Sequence, residues 1–204
     1  LSIKPTKYKI MSFRIEQKLN VDKENLLDLK EFLIKKNAKG LHEPRVIESL
    51  YFDNYGFDTH KDSIEGLVPR KKIRVRYYPN NNDRKIYLEV KNSSVEGRFK
   101  SREIINNDEF KKKIREGILD NQYGVCYPKI FVKYNREYLL LKDVRVSIDT
   151  NISYRSYDTN FVAKDDRVIV TESTDIDPLE TKEWLDSLNA VVENMGNERA
   201  HFLL

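Results

Sequence analysis

Charged side chains recur at two-residue spacing in several segments of this chain: Arg14, Glu16 and Lys18; Arg74 and Arg76; Glu89 and Lys91; Lys100 and Arg102; Arg145 and Asp149, with Ser147 between. Arg136 and Glu172 stand in two further segments. Residues i and i+2 of a β-strand point to the same face, so each set presents its charge together. Arginine forks pair with phosphate oxygens and lysine acts as a point charge, so such a face is suited to gripping a chain of phosphates. The acids offer a second chemistry. Carboxylate oxygens hold hard divalent cations, which makes Glu172 the first candidate ligand, Glu16 the second, with Glu89 beside them. Phosphoryl transfer needs mainly positioning and charge neutralisation, so this lining suits catalysis without a covalent nucleophile.

A plain antiparallel sheet with its charges in solvent gives the same pattern pair by pair. Against that reading stands the opposite parity, which is apolar at Ile73, Val75 and Tyr77, at Ile86, Leu88 and Val90, and at Val144, Val146 and Ile148. Such strands have one face that wants a core and one that does not.

The elements that must position these residues follow from periodicity. Strands are predicted over 9–18, 47–53, 72–78, 85–91, 97–104, 130–139, 144–149 and 167–174. Pro-Asn-Asn-Asn-Asp at 79–83 joins two of them as a hairpin. Helices are predicted over 24–36, 107–118 and 182–195, the last turning Trp184, Leu188 and Val192 toward the sheet. The stretch 54–66 reads as a turn or short helix, and Asp165-Asp166 as a hairpin turn. Helices on the apolar side leave the charged side free to curve inward and close. The expected architecture is one α+β domain over 1–204, an antiparallel β-tunnel braced by helices. Enclosed charges are costly unless paired or ligated, so anionic ligand and water are expected inside.

Composition narrows the partners. The 204 residues are 39% hydrophobic and 34% charged, with a formal charge of +4, which fits a folded chain and names no partner alone. The distribution says more: Arg70, Lys71, Lys72, Arg74 and Arg76 crowd one segment, and Lys91, Arg98, Lys100 and Arg102 follow. A lone Cys126 excludes an internal disulfide and a multi-cysteine zinc site. A cytoplasmic, reducing setting is expected, the cytoplasmic side of a membrane included. No apolar run approaches the roughly 20 residues of a membrane-spanning helix. The chain opens on Leu1 rather than methionine, so a processed or longer protein is expected, and with it a missing membrane segment or a membrane-attached partner. There is no Gly-x-x-x-x-Gly-Lys loop for ATP. Tyr77, Tyr78 and Tyr87 among basic residues suit a single-stranded nucleic-acid platform. The glutamates mixed into the same faces repel a nucleic-acid backbone. His42 and His60 read as surface positions, and Cys126 lacks a catalytic partner.

Five stretches in order, Arg14-Ile-Glu-Gln-Lys18, Ser49-Leu-Tyr-Phe-Asp53, Lys72-Ile-Arg-Val-Arg-Tyr77, Tyr87-Leu-Glu-Val-Lys91 and Arg145-Val-Ser-Ile-Asp-Thr150, resemble the signatures of the VTC domain. That family is the polyphosphate-polymerase branch of the triphosphate tunnel metalloenzymes. The resemblance implies an antiparallel β-tunnel in which the terminal phosphoryl group of ATP passes to polyphosphate with manganese or magnesium. It implies phosphate-gripping catalytic roles for Arg74, Arg76, Lys91 and Arg136, with Lys18, Arg14, Lys100, Arg102 and Arg145 assisting and Glu172 on the metal. Two places depart from the family pattern. Its late Glu-x-Lys is Glu172-Ser-Thr174 here, and its terminal Lys-x-Ser-Lys-Phe is Glu198-Arg-Ala-His-Phe202, which leaves Arg199 and His201 as phosphate contacts. A polyphosphate-binding or sensing module and an inorganic triphosphatase are the neighbouring readings.

Overall fold

The computed structural model describes residues 14–80, 85–95 and 97–175. The helix expected at 182–195 lies outside them, as do Arg199 and His201. The strands are β1 (Arg14–Asp22), β2 (Lys39–Asp53), β3 (Arg70–Tyr77), β4 (Ile86–Ser94) and β5 (Gly97–Ile105). They continue with β6 (Ile118–Asp120), β7 (Gly124–Leu141), β8 (Val144–Ser156), β9 (Val162–Asp165) and β10 (Arg167–Asp175). Helices α1 (Leu26–Lys35), α2 (Asp58–Glu65) and α3 (Asn107–Glu116) interrupt them. Among the described residues no helix is long and apolar enough to cross a membrane.

Local chemistry sets the helix ends. Asn106 accepts from the Glu109 amide (2.8 Å) while Glu109 accepts from the Asn106 amide (3.0 Å), a reciprocal cap that starts α3. Gly117 ends it at φ 79°, where a Cβ would lie 2.6 Å from Val125. The buried Asp53 accepts from the amides of Thr59 and His60, both at 3.0 Å, and so fixes the start of α2 to the end of β2.

The strands pair antiparallel in the order β1-β10-β8-β7-β2-β3-β4-β5, with β6 on β7 and β9 on β8. One face packs Leu50, Phe52, Ile73 and Val75 against Phe110 and Ile114 of α3. Further along, Val146, Ile148, Val168 and Val170 pack against Leu26, Leu29 and Leu33 of α1. Burial of these alternating residues is the main drive for the fold, at about 1.5–3 kcal/mol per large side chain.

The α+β character is as expected; the closed tunnel is not. The ladder begins at β1 and ends at β5, and no backbone pairing joins those two strands among the described residues. Among the described residues they approach through side chains, Glu16 of β1 lying 3.5 Å from Arg98 of β5 and 3.8 Å from Lys91 of the neighbouring β4. The sheet is therefore an open, curled one. A second expectation is also corrected. β9 and β10 both pair with β8 and run in the same direction, so Asp165-Asp166 interrupts one edge and does not reverse the chain. The reversal lies at 157–161, and Asp165 instead accepts from Arg167 Nε and Nη2, each at 2.9 Å.

Candidate phosphate-binding face

The face opposite α3 gathers the charge. On β2, Ser49 and Tyr51 alternate with the core residues Leu50 and Phe52; on β3, Arg74 and Arg76 alternate with Ile73 and Val75. Cross-strand register then forms two rows. Tyr51, Arg74, Glu89 and Arg102 stand side by side across β2 to β5, and Lys72, Lys91 and Lys100 across β3 to β5.

Glu89 is the centre of the first row. Its side chain is 1% exposed, and its Oε2 accepts from Arg74 Nε at 2.9 Å, with Arg74 Nη2 at 2.7 Å and Arg76 Nη1 at 3.9 Å. Oε1 lies 2.7 Å from Lys100 and 3.3 Å from Arg102. Burial opposes ionisation of this carboxyl, but Arg74, then Lys100 and Arg76, outweigh it and hold its pKa at about 2. Tyrosines complete the setting. Arg74 Nη1 donates to Tyr51 at 2.9 Å, and Arg76 donates to Ser49 and to Tyr134, both at 3.0 Å. Arg102 stacks 3.5 Å over the Tyr87 ring. Burial raises the Tyr51 phenol, yet Arg74, with Arg76 and Lys72, more than offsets this and the net shift is downward.

The second row is unfavourable by itself, because like charges directly opposite on neighbouring strands repel. Burial lowers the pKa of Lys72, and Lys18 and Lys91 lower it further. Burial also lowers Lys91, with Arg98 and Lys18 adding to it and Glu16 opposing. Lys100 is lowered by burial, with Glu89 opposing. A lysine whose pKa falls on folding is held charged at a cost in stability, which is present at neutral pH and is relieved as pH rises through the folded and then the unfolded pKa.

Glu89 works in the opposite sense. Its folded pKa lies below the ordinary 4.5, so its contribution is present above that value and is lost as pH falls from 4.5 through about 2. Urea midpoints measured across that window are expected to drop, and to drop less steeply in Glu89→Gln. Identical slopes would assign the acid sensitivity to other carboxylates.

The remaining sequence candidates are placed unevenly. Arg136 lies on β7 with both Nε and Nη2 donating to Asp149, each at 2.6 Å, so that guanidinium is held by a carboxylate. Lys18 is exposed and close enough to shift Lys72 and Lys91. Arg145 is exposed on β8, opposite Ser173 and in line with Ser147 and Asp149. Arg14 opens β1, and its side chain lies outside what is described. Residues not picked from the sequence include Lys72, Arg45, Tyr51 and Tyr134, and Asp149 as the partner of Arg136. The parity that marked Arg74 and Arg76 also covers Lys72, and it is the signal that finds it.

The expected metal site does not form. Register sets Glu172 opposite Gln17 and Val146, on the face of the buried Val170, whereas Thr171 and Ser173 share the face of Lys18 and Glu16. Glu16 is committed to Lys91 and Arg98, and Glu89 to its arginines and Lys100. Among the described residues no group of three or more His, Cys, Asp or Glu side chains could hold a metal ion. With the open ladder, this overturns the expectation of a metal-dependent phosphotransferase that lengthens polyphosphate in a tunnel.

Solved structures share this α+β fold. A candidate adenylate cyclase from Bacillus halodurans superposes with a TM-score of 0.54 at 12% identity, over 89% of this chain and 90% of that one. Another from Vibrio parahaemolyticus gives 0.51 at 11%, over 90% and 88%. The PH1012 protein of Pyrococcus horikoshii gives 0.50 at 18%, over 86% and 87%. At such identities the likeness concerns the fold alone. Residues 13–198 match the VTC domain, and the chain belongs to that family. Separately, 30 residues, 15% of the chain, are 53% identical to the pyruvate dehydrogenase E1 component of Pseudomonas aeruginosa; they span 3% of that protein.

Proposed function

We propose that this chain is a binding module for linear phosphate polyanions, inorganic polyphosphate or the triphosphate group, free or as in ATP. The observation that carries the reading is the cross-strand row Lys72, Lys91 and Lys100 beside the Arg74, Arg76 and Arg102 cluster. Among the described residues, Lys91, Lys100, Arg74, Arg76 and Arg102 share two carboxylates, Glu89 and Glu16. A chain of phosphates brings repeated negative charge to repeated positive charge, which one carboxylate or a monophosphate does not. Membership of the VTC family supports the same ligand class. Manganese or magnesium enters this reading as a counter-ion travelling with the phosphates. Burial pushes the Cys126 thiol up to about 11, and an inert lone thiol suits a cytoplasmic setting.

Calorimetric titration with orthophosphate, triphosphate and polyphosphate, at two salt concentrations, is the test. Affinity is expected to rise with the number of linked phosphates and to fall with salt. Arg74→Ala and Arg76→Ala should each weaken polyphosphate binding by about tenfold or more while the chain stays folded. Equal affinity for all three ligands rejects the reading.

A further inference from the structure

Arg45 lies on β2 in line with Ser49 and Tyr51, and four residues from Ser49, about 13 Å along the strand. Its guanidinium sits between two tyrosine rings, 5.3 Å from the centroid of Tyr78 and 4.9 Å from that of Tyr138. Tyr138 is in turn braced edge-on by His42 at 5.5 Å. Across the ladder stands Arg136, whose charge Asp149 already answers. Among the described residues no carboxylate pairs with Arg45. It is a half-buried cation held in place by aromatic faces, which attract it without neutralising it.

The surroundings separate Arg45 from the Glu89 cluster without isolating it. Between Ser49 and Arg45 the same face carries Ile47, packed with Tyr134 and Ile152 as an apolar collar. On the far side, Arg102 donates to the Tyr78 hydroxyl at 3.3 Å, so the ring that holds Arg45 also touches the main cluster. Burial raises the Tyr138 phenol, while Arg45, Arg136 and Arg76 all pull the other way.

From this geometry we infer a second phosphate subsite at Arg45, engaged by chains longer than triphosphate. The inference rests on the proposed polyanion reading and deepens it by naming what selects chain length. A triphosphate seated on the Glu89 cluster does not reach Arg45. A longer chain reaches both places, and the second contact forms at high effective concentration because the first has been made. A fixed guanidinium gives up little freedom when a phosphate arrives.

The test compares triphosphate with a polyphosphate several times longer, titrated into the unaltered chain, Arg45→Ala and Arg45→Gln, with thermal melts to confirm folding. Both variants are expected to lose about tenfold in affinity for the long chain and to bind triphosphate unchanged. Arg45→Lys keeps the charge and should recover part of the loss. An equal loss for both ligands, or no loss for the long chain, overturns the subsite and leaves the polyanion reading intact. If the unaltered chain binds neither ligand, the polyanion reading falls and the subsite with it.

Discussion

Glu89→Gln is expected to cost the ligand-free chain roughly 3 kcal/mol, most of which inorganic polyphosphate should restore. The carboxylate is buried and answers Arg74, Arg76, Lys100 and Arg102 together. Removing its charge leaves those cations crowded with no counter-charge at their centre. Lys100 and Arg102 are 47% and 42% exposed, so water screens part of their share, and the loss falls at the lower end of that for a broken buried pair. Phosphate oxygens occupying the same neighbourhood would resupply the missing charge. Urea denaturation of both proteins, with and without polyphosphate, checks the expectation. A variant as stable as the parent without ligand would show that Glu89 is not the counter-ion of this face. A variant that is destabilised but gains no more from polyphosphate than the parent does would separate stability from ligand binding.

The Arg136–Asp149 pair gives the second large effect. Asp149 has 9% of its side chain exposed and Arg136 has 24%, and the two parallel hydrogen bonds of 2.6 Å tie β7 to β8. The guanidinium also lies 5.1 Å from the Tyr134 ring. Arg136→Met is expected to destabilise by about 3 kcal/mol or more, because it abandons a buried carboxylate. Asp149→Leu should cost a comparable amount for the mirror reason. Arg136→Met with Asp149→Leu removes both charges and should cost clearly less than the sum of the single changes. Chemical denaturation of the four proteins gives the coupling directly. Additive losses would mean that the pair does not act as a unit.

Much of the fold was legible because most strands keep one apolar parity. Ile73 and Val75 against Arg74 and Arg76 leave no choice of face, and the structure pairs Arg74 with Glu89 and Tyr51 as that parity requires. Where both parities are apolar the argument loses its grip. In β10, Val168, Ile169 and Val170 are consecutive, so sequence does not say whether Glu172 continues the buried side or the charged side. Register with β1 and β8 decides it, and register is a long-range property. Closure of the sheet is likewise a relation between β1 and β5, far apart in the chain, and no local pattern reports it. Arg45 stands two residues ahead of the strand predicted over 47–53, outside the alternation that marks its neighbours. Tyr51 and Tyr134 carry no mark of the site, since a sequence does not show which hydroxyl will meet an arginine. The short β6 and β9 carry too few residues for a period to emerge.

The gap in the backbone ladder of the described residues has a topological meaning for the proposed polymeric ligand. A ring of strands admits a long chain only through an end, so the polymer must be threaded. Here the margin between β1 and β5 is spanned by the exposed contacts of Glu16 with Lys91 and Arg98, each worth no more than about 1 kcal/mol. On the proposed polyanion reading, those contacts part and re-form, and the middle of a long strand of phosphates is laid in sideways with both its termini elsewhere.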